Sequence, residues 1–451
     1  MRKSFLLLLV LVPLFPLLAL PRQNISLSVY NQNFALVREV RTIPLVKGIN
    51  RIEFGEVPSL LEPESVYLES LDKRFPLFLR EQTYRFDVLN PGRLLEKYLG
   101  KEITIRGEGD TLIRGRLLSL EGDYFILERE KRKLVMIRKD EVVTVEFPSL
   151  PEELQTRPVL VWVLESKRRG KVKVAVSYIT RGINWSANYN CFLDQREKNL
   201  EFTGWVNIDN RSGVSYPSAT LKLIAGEVHR VEKRRGIMPQ MMRQMMRETP
   251  SPQFEQKPLF EYYLYRLKGK IDIPDKTEKQ VEFVRAEKVK VKREYEFDSA
   301  RDPKNVFTYV TFLNSPSNQL GYPLPAGRVR IYRKSEEGWE FIGEDNIQHT
   351  PREEKVRLFV GKAFDLVGER KVLKREKVGA RKWEIQVRVI LRNRKEEGSA
   401  LIKVRERFPG DWEIITSSHS WERIDARTAV FPVELKAGEK VTLEYTASYQ
   451  W

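Results

Sequence analysis

The chain has 451 residues, a formal net charge of +17, 31% charged residues, three histidines and one cysteine. A single cysteine excludes an intramolecular disulfide, so stability has to come from buried apolar surface, and this length suffices for several cores. So few histidines and cysteines leave little for a structural zinc site, which takes about four clustered N, S or O ligands.

Arg2 and Lys3 precede an apolar run from Phe5 to Leu20, the layout of a secretory signal peptide. A membrane span takes about 20 apolar residues, and this shorter run is broken by Pro13 and Pro16. Cleavage is expected near Ala19, although Leu17 is large for the site and Pro21 follows closely; an uncleaved anchor is the alternative. No cysteine lies near the end of the run, which excludes a bacterial lipoprotein. Residues 1–20 are therefore expected to be a signal peptide, and the expected location is exported, periplasmic or associated with the cell envelope. Export makes nucleic acid a poor partner for the basic excess. Another protein, an anionic envelope polymer or a membrane surface fits the compartment. Lys, Arg and Glu alternate along stretches such as KREKVGARKWEIQVRVILRNRKEE, which predicts solvated strand faces laced with ion pairs.

Residues 21–88 predict an N-terminal β-unit. ISLSV alternates, FALVREVRTIPL follows the Asn31-Gln32-Asn33 turn, and Gly48 separates it from Ile52 and Phe54. Residues 89–148 predict a small SH3-like or Sm-like barrel. A short helical segment, RLLEKYLGK, would place Leu94, Leu95, Tyr98 and Leu99 on one face. KEITIRG, TLIRGRLLSL, DYFILERE, KLVMIRK and EVVTVEF follow as strands. Such barrels can bind RNA, but this one lacks an aromatic stacking surface, so a spacer or protein-contact module is expected.

Residues 149–323 predict a central β-sandwich entered through a proline-punctuated linker, PSLPEELQTRP. Val172, Val174, Val176 and Tyr178 alternate with polar residues. Gly182-Ile183-Asn184 interrupts the pattern before Trp185, Ala187, Tyr189 and Cys191 resume it. Asp194 to Lys198 is a hairpin loop, and Phe202, Gly204, Val206 and Ile208 form the next strand. Asn210-Arg211-Ser212-Gly213 is a turn signal, and Thr220 to Ile224 is a further strand. Trp185 and Trp205 are each expected to be more than half buried. Residues 234–258 predict a mobile insertion. Its Met238, Met241, Met242, Met245 and Met246 would line one helical face. That stripe suits a membrane or partner contact or Cu(I), against a tethered segment of no specific role. Strands resume with FEYYLYRL, KQVEFVRA, KVKVKREYEF and VFTYVTFL. Residues 324–451 predict a C-terminal immunoglobulin-like β-sandwich. Its strands are marked by Val329 and Ile331, Trp339 and Phe341, and WEIQVRVIL with Trp383, Ile385, Val387 and Val389 on one face. The fold class is thus mainly β and multi-domain, a small SH3/Sm-like barrel followed by β-sandwich domains.

SYITRGINWSANYN and GWVNIDNRSGVSYPSATLKLIAGEV resemble the start of domain-of-unknown-function family 4139, related to mucoidy-inhibitor-like bacterial proteins. FEYYLYRL, KQVEF, LPAGRVRIY and IGEDNIQHTP are similar to its later blocks in the same order. The resemblance covers about the last two-thirds of the chain. It implies no catalytic motif, so it brings no functional residues with it.

Motifs for chemistry are missing as well. His229, His349 and His419 are scattered, and no CxxC or HExxH occurs. Gly213-Val214-Ser215-Tyr216-Pro217 approaches a nucleophile elbow but lacks the second glycine. Gly107-Glu108-Gly109 is a hairpin turn rather than a dinucleotide loop. Asn207 to Gly213 has Arg211 where a calcium loop needs an oxygen ligand. Cys191 falls on the face of Tyr189 and Leu193, as a buried apolar residue would. No catalytic, cofactor-binding or metal-binding residue is assigned, and no cofactor is expected. The expected function is a non-enzymatic binding or scaffolding module of the envelope. The alternative is a hydrolase acting on envelope polysaccharide through a carboxylate pair.

Overall fold

The computed structural model describes residues 21–85, 91–107, 111–149, 158–226, 228, 254–259 and 262–450. The expected signal peptide, His229, the Glu108-Gly109 turn, most of the linker and the methionine stretch lie outside them. Strands dominate, so the fold is mainly β with several separate sheets. In chain order they begin with β1 (Gln23–Tyr30), β2 (Phe34–Leu45), β3 (Gly48–Phe54), β4 (Tyr67–Ser70) and β5 (Leu77–Arg85). Helix α1 (Pro91–Lys97) precedes β6 (Glu102–Gly107), β7 (Leu112–Ser119), β8 (Tyr124–Glu128), β9 (Leu134–Arg138) and β10 (Val142–Glu146). Then come β11 (Val159–Ser166), β12 (Gly170–Arg181), β13 (Ile183–Leu193), β14 (Asn199–Asn210), β15 (Tyr216–Ala225), β16 (Phe254–Leu259), β17 (Tyr262–Leu267) and β18 (Ile271–Ile273). The remainder are β19 (Thr277–Lys290), β20 (Lys292–Phe297), β21 (Asn305–Leu313), β22 (Gly327–Lys334), β23 (Trp339–Ile347), β24 (Lys355–Lys377), β25 (Lys382–Asn393), β26 (Ala400–Arg407), β27 (Asp411–Ser417), β28 (Glu422–Asp425), β29 (Thr428–Leu435) and β30 (Lys440–Gln450).

The chain divides into two compact units. The first holds residues up to Asn184 with Asp209–Lys222 and Gly269–Glu278; the second holds Trp185–Ile208, Leu223–Lys268 and the chain from Lys279 on. In the first unit the N-terminal strands are completed by later sequence. β2 pairs antiparallel with β12 along its whole length, from Phe34↔Arg181 to Leu45↔Gly170. Val37, Glu39, Arg41 and Ile43 therefore share one face with Tyr178, Val176, Val174 and Val172. A three-stranded sheet in the order β3-β11-β5 supplies Phe54 and the fully buried Trp162, whose Nε1 donates to Gln82 Oε1 at 2.8 Å. Helix α1 and the antiparallel sheet β10-β6-β7-β8-β9 have their own core, with Tyr98, Ile105, Leu117 and Leu127 at its centre. Leu94 and Leu95 pack against it, but Leu99 is exposed, because the helix ends at Lys97 and helical spacing stops applying. At Gly182 the chain turns with φ +76°, and a Cβ there would stand 2.8 Å from Arg211 O.

In the second unit one sheet runs β19-β14-β13-β22-β23, with β13 and β22 parallel. Its inner face is aromatic: Tyr189 stacks on Phe202 at 5.2 Å, and Phe283 meets Tyr265 edge-on at 5.2 Å. Trp185 is buried and donates Nε1 to Ile224 O at 3.1 Å. Trp205 is also more than half covered, but it points to the opposite face from Phe202, Val206 and Ile208. A period of two forbids it from sharing theirs. Trp339 and Phe341 lie on a strand as expected, β23, and are exposed; Trp339 packs edge-on against Phe192 and Phe341 against Tyr332. The other sheet runs β27-β30-β25-β24-β21-β20-β26-β29-β28. Its core contains Tyr295, Phe297, Ile402, Val404, Phe431 and Tyr445. β22 and β23, counted above with the C-terminal sandwich, join the sheet of β13, while β20 and β21 join the C-terminal sheet. The end of the expected insertion, from Phe254, is strand, paired from Phe254↔Leu267 to Leu259↔Tyr262.

Candidate interaction face

Strand β20 alternates strictly. Tyr295 and Phe297 enter the core, so Glu294 and Glu296 must point the other way. On one side lies the parallel strand β26, in register Glu296↔Lys403. Its Ile402 and Val404 are in the core, which turns Lys403, Arg405 and Arg407 outward. On the other side β21 brings Phe307 and Tyr309 opposite Glu296 and Glu294, and β24 lies beyond it with Lys355, Arg357 and Phe359.

These side chains form layers. Arg405 donates Nη2 and Nε to Glu296 Oε2 at 3.1 and 3.2 Å, and Arg357 Nη2 reaches the same oxygen at 3.0 Å. Lys355 Nζ is 2.6 Å from Glu294 Oε1, with Lys403 Nζ 3.5 Å from Oε2. Arg407 pairs with Asp298 at 2.7 Å, and Lys362 with Asp302 at 2.8 Å. The four carboxylates lie low, at 3–16% side-chain exposure, and the six bases paired to them stand above at 25–53%. Arg301 adds a seventh positive group, stacked over Phe307 at 4.0 Å and Phe359 at 4.7 Å, while Arg357 covers Tyr309 at 3.4 Å. Solvent therefore meets guanidinium and ammonium groups, with the negative charge underneath.

Burial works against the charged form of Glu294, but the Lys355 hydrogen bond and the charges of Lys403, Lys355 and Arg357 outweigh it and hold its pKa below the ordinary value. Hydrogen bonds from Asn305 and then Lys362 depress Asp302 in the same direction. Both are permanent anions at neutral pH, unlike a general acid. Glu406 differs: it lies on the core side of β26, and burial pushes its pKa up against the opposing charge of Arg370. Arg370 Nε contacts both its oxygens at 3.0 Å. Burial lowers the Arg370 pKa, yet the Glu406 charge outweighs this and raises it. For Glu406, the more enclosed group, burial governs, and its core position keeps it out of reach of a polymer.

The other sequence candidates are not brought together. Cys191 is buried, and burial drives its thiol pKa up. His349 Nδ1 accepts from Ala326 N at 3.2 Å, and His419 Nδ1 bonds Ser418 Oγ at 2.9 Å. Ser215 Oγ accepts from Asp275 N at 3.0 Å, with no histidine in that contact. Asp209 pairs with Arg211 at 2.9 Å within the turn. Among the described residues no group of three or more His, Cys, Asp or Glu could hold a metal ion, and no helix is long and apolar enough to cross a membrane. Sequence reasoning missed the layered face itself. Its signal was the charge alternation in KREYEF, ALIKVRER and KVRLFV, which shows outward charges but not which strands lie side by side.

The family model for a domain of unknown function, DUF4139, matches residues 174–451, more than half of the chain. The chain belongs to the DUF4139 family. The DUF4139 region runs from within β12 to the C-terminus, so it contains the whole layered face. No curated protein matches the chain.

Proposed function

We propose that this DUF4139 protein is an exported, non-enzymatic binding or scaffolding protein of the cell envelope, and that the outer face of its C-terminal sheet receives an anionic polymer. The observation that carries the reading is the layering, bases outermost and carboxylates beneath. Arginines stacked on aromatic rings are pre-oriented, so little side-chain entropy is lost when an anion meets them. The depressed pKa values of Glu294 and Asp302 support binding over acid catalysis. The basic, then apolar, run at residues 2–20 supports export.

The test is retention of the full chain on an immobilised sulfated polysaccharide. Lys304 is exposed beside Asp302, whose Oδ1 accepts from its backbone N–H at 3.0 Å; Lys304→Gln, Lys362→Gln and Lys403→Gln together should lower the eluting salt concentration with the melting temperature little changed. Three equivalent changes at Lys73, Lys167 and Lys171, on the first unit, serve as control. Equal loss of retention in the two triple variants would sink the assignment to this face. Recovery of the protein only in the cytosolic fraction of producing cells would sink export.

A further inference from the structure

Glu39 and Arg41 lie on the face of β2 turned toward Phe54, inside the first unit. Arg22, immediately before β1, closes over them. Their side chains are 0%, 1% and 7% exposed in that order. Glu39 Oε2 accepts from Arg22 Nε, and its Oε1 accepts from Arg41 Nη2 at 2.8 Å. Arg22 Nη1 donates to Ser215 O at 2.8 Å and Arg41 Nη1 to Gly55 O at 2.9 Å. Tyr178 is wholly buried on the same face, two residues further along β12 than Val176, the partner of Glu39, and opposite Val37.

Two guanidinium groups share one carboxylate, which leaves one positive charge in an enclosed place where an unneutralised ion is costly. Among the described residues, three buried polar atoms of this cluster have no hydrogen-bond partner: Arg22 Nη2, Arg41 Nε and the Tyr178 hydroxyl. Each is a donor, because the raised pKa of Tyr178 keeps its proton in place. Water could accept from such atoms, but it would cancel no charge and would bring two hydrogens of its own needing acceptors. A species that only accepts, and carries a single negative charge, answers both deficits.

We propose that Arg22, Arg41 and Tyr178 form a binding site for a small inorganic monoanion of halide size. Bound there, the anion ties Arg22, and with it the start of β1, to the sheet. The proposal is independent of the polymer-binding face.

The experiment is thermal melting of the full chain at constant ionic strength while gluconate, too bulky for so enclosed a place, is replaced stepwise by chloride. The melting temperature should rise and saturate with chloride, as a ligand specific for the folded state requires. Tyr178→Phe, which removes one donor to the ion, should raise the half-saturating chloride concentration about tenfold. Identical melting in the two salts, or an unchanged chloride response in the variant, overturns the proposal. If the variant does not fold, crystals of the native chain grown in bromide decide. Anomalous scattering beside Arg22 and Arg41 supports the site, and none there refutes it.

Discussion

Replacing Glu406 with Met tests the energetics of the C-terminal core. The carboxylate lies on the core side of β26, 5% exposed in its side chain, and Arg370 Nε meets both its oxygens at 3.0 Å. Glu406→Met leaves Arg370 with the Tyr445 hydroxyl at 3.4 Å. Breaking a buried pair from one side costs about 3–5 kcal/mol. Arg370 retains 23% exposure, so water partly rescues it and the low end, about 3 kcal/mol, is expected. Exchanging both residues for Met removes the stranded charge and keeps apolar volume, which should restore most of that loss. Urea unfolding followed by tryptophan fluorescence measures this, since Trp412 stacks on Phe408 within the same core. A double variant as unstable as the two single losses added together would refute the reasoning. The pH dependence has a definite sign. Burial raises the Glu406 pKa from its ordinary 4.5, so the folded chain holds that proton more tightly than the unfolded one. Its contribution is complete below the unfolded value and is lost as pH rises through the folded one. The native chain should therefore lose stability relative to Glu406→Gln as the pH climbs above 4.5; a relative gain contradicts the burial argument.

Cys191 is fully buried with its thiol pKa driven up, so a thiol reagent should leave the folded chain unlabelled and label it fully in urea. Rapid labelling without denaturant would contradict its placement. Trp185→Ala should cost about 3–5 kcal/mol, because it opens a cavity in an aromatic core. Trp205→Ala, on the opposite face of β14, should cost less than about 2 kcal/mol. Equal losses in urea unfolding would show that the two share an environment.

The mainly β class was legible from alternation alone, as were many strand positions, because a two-residue period directly reports which side chains are buried. Val172, Val174, Val176 and Tyr178 on β12 and Trp383, Ile385, Val387 and Val389 on β25 show this. Alternation is silent about partners, which are chosen by hydrogen bonding between distant segments. Hence β2 meets β12 across more than a hundred residues, and β20 lies beside β26 rather than in the central sheet. The layered face depended on that choice. KREYEF shows Glu294 and Glu296 outside, but only the neighbouring strands place Arg405 on one side of Glu296 and Arg357 on the other. The buried Arg22, Glu39 and Arg41 lay further from view, since charged residues in a strand ordinarily signal a solvated face. In FALVREVRTIPL the charges at Arg38, Glu39 and Arg41 look alike, yet Glu39 and Arg41 are enclosed and Arg38 is exposed. Sequence determined where strands could form and which apolar side chains they could bury. Tertiary structure decided which charges were enclosed together, because Coulomb attraction and desolvation depend on distance in space.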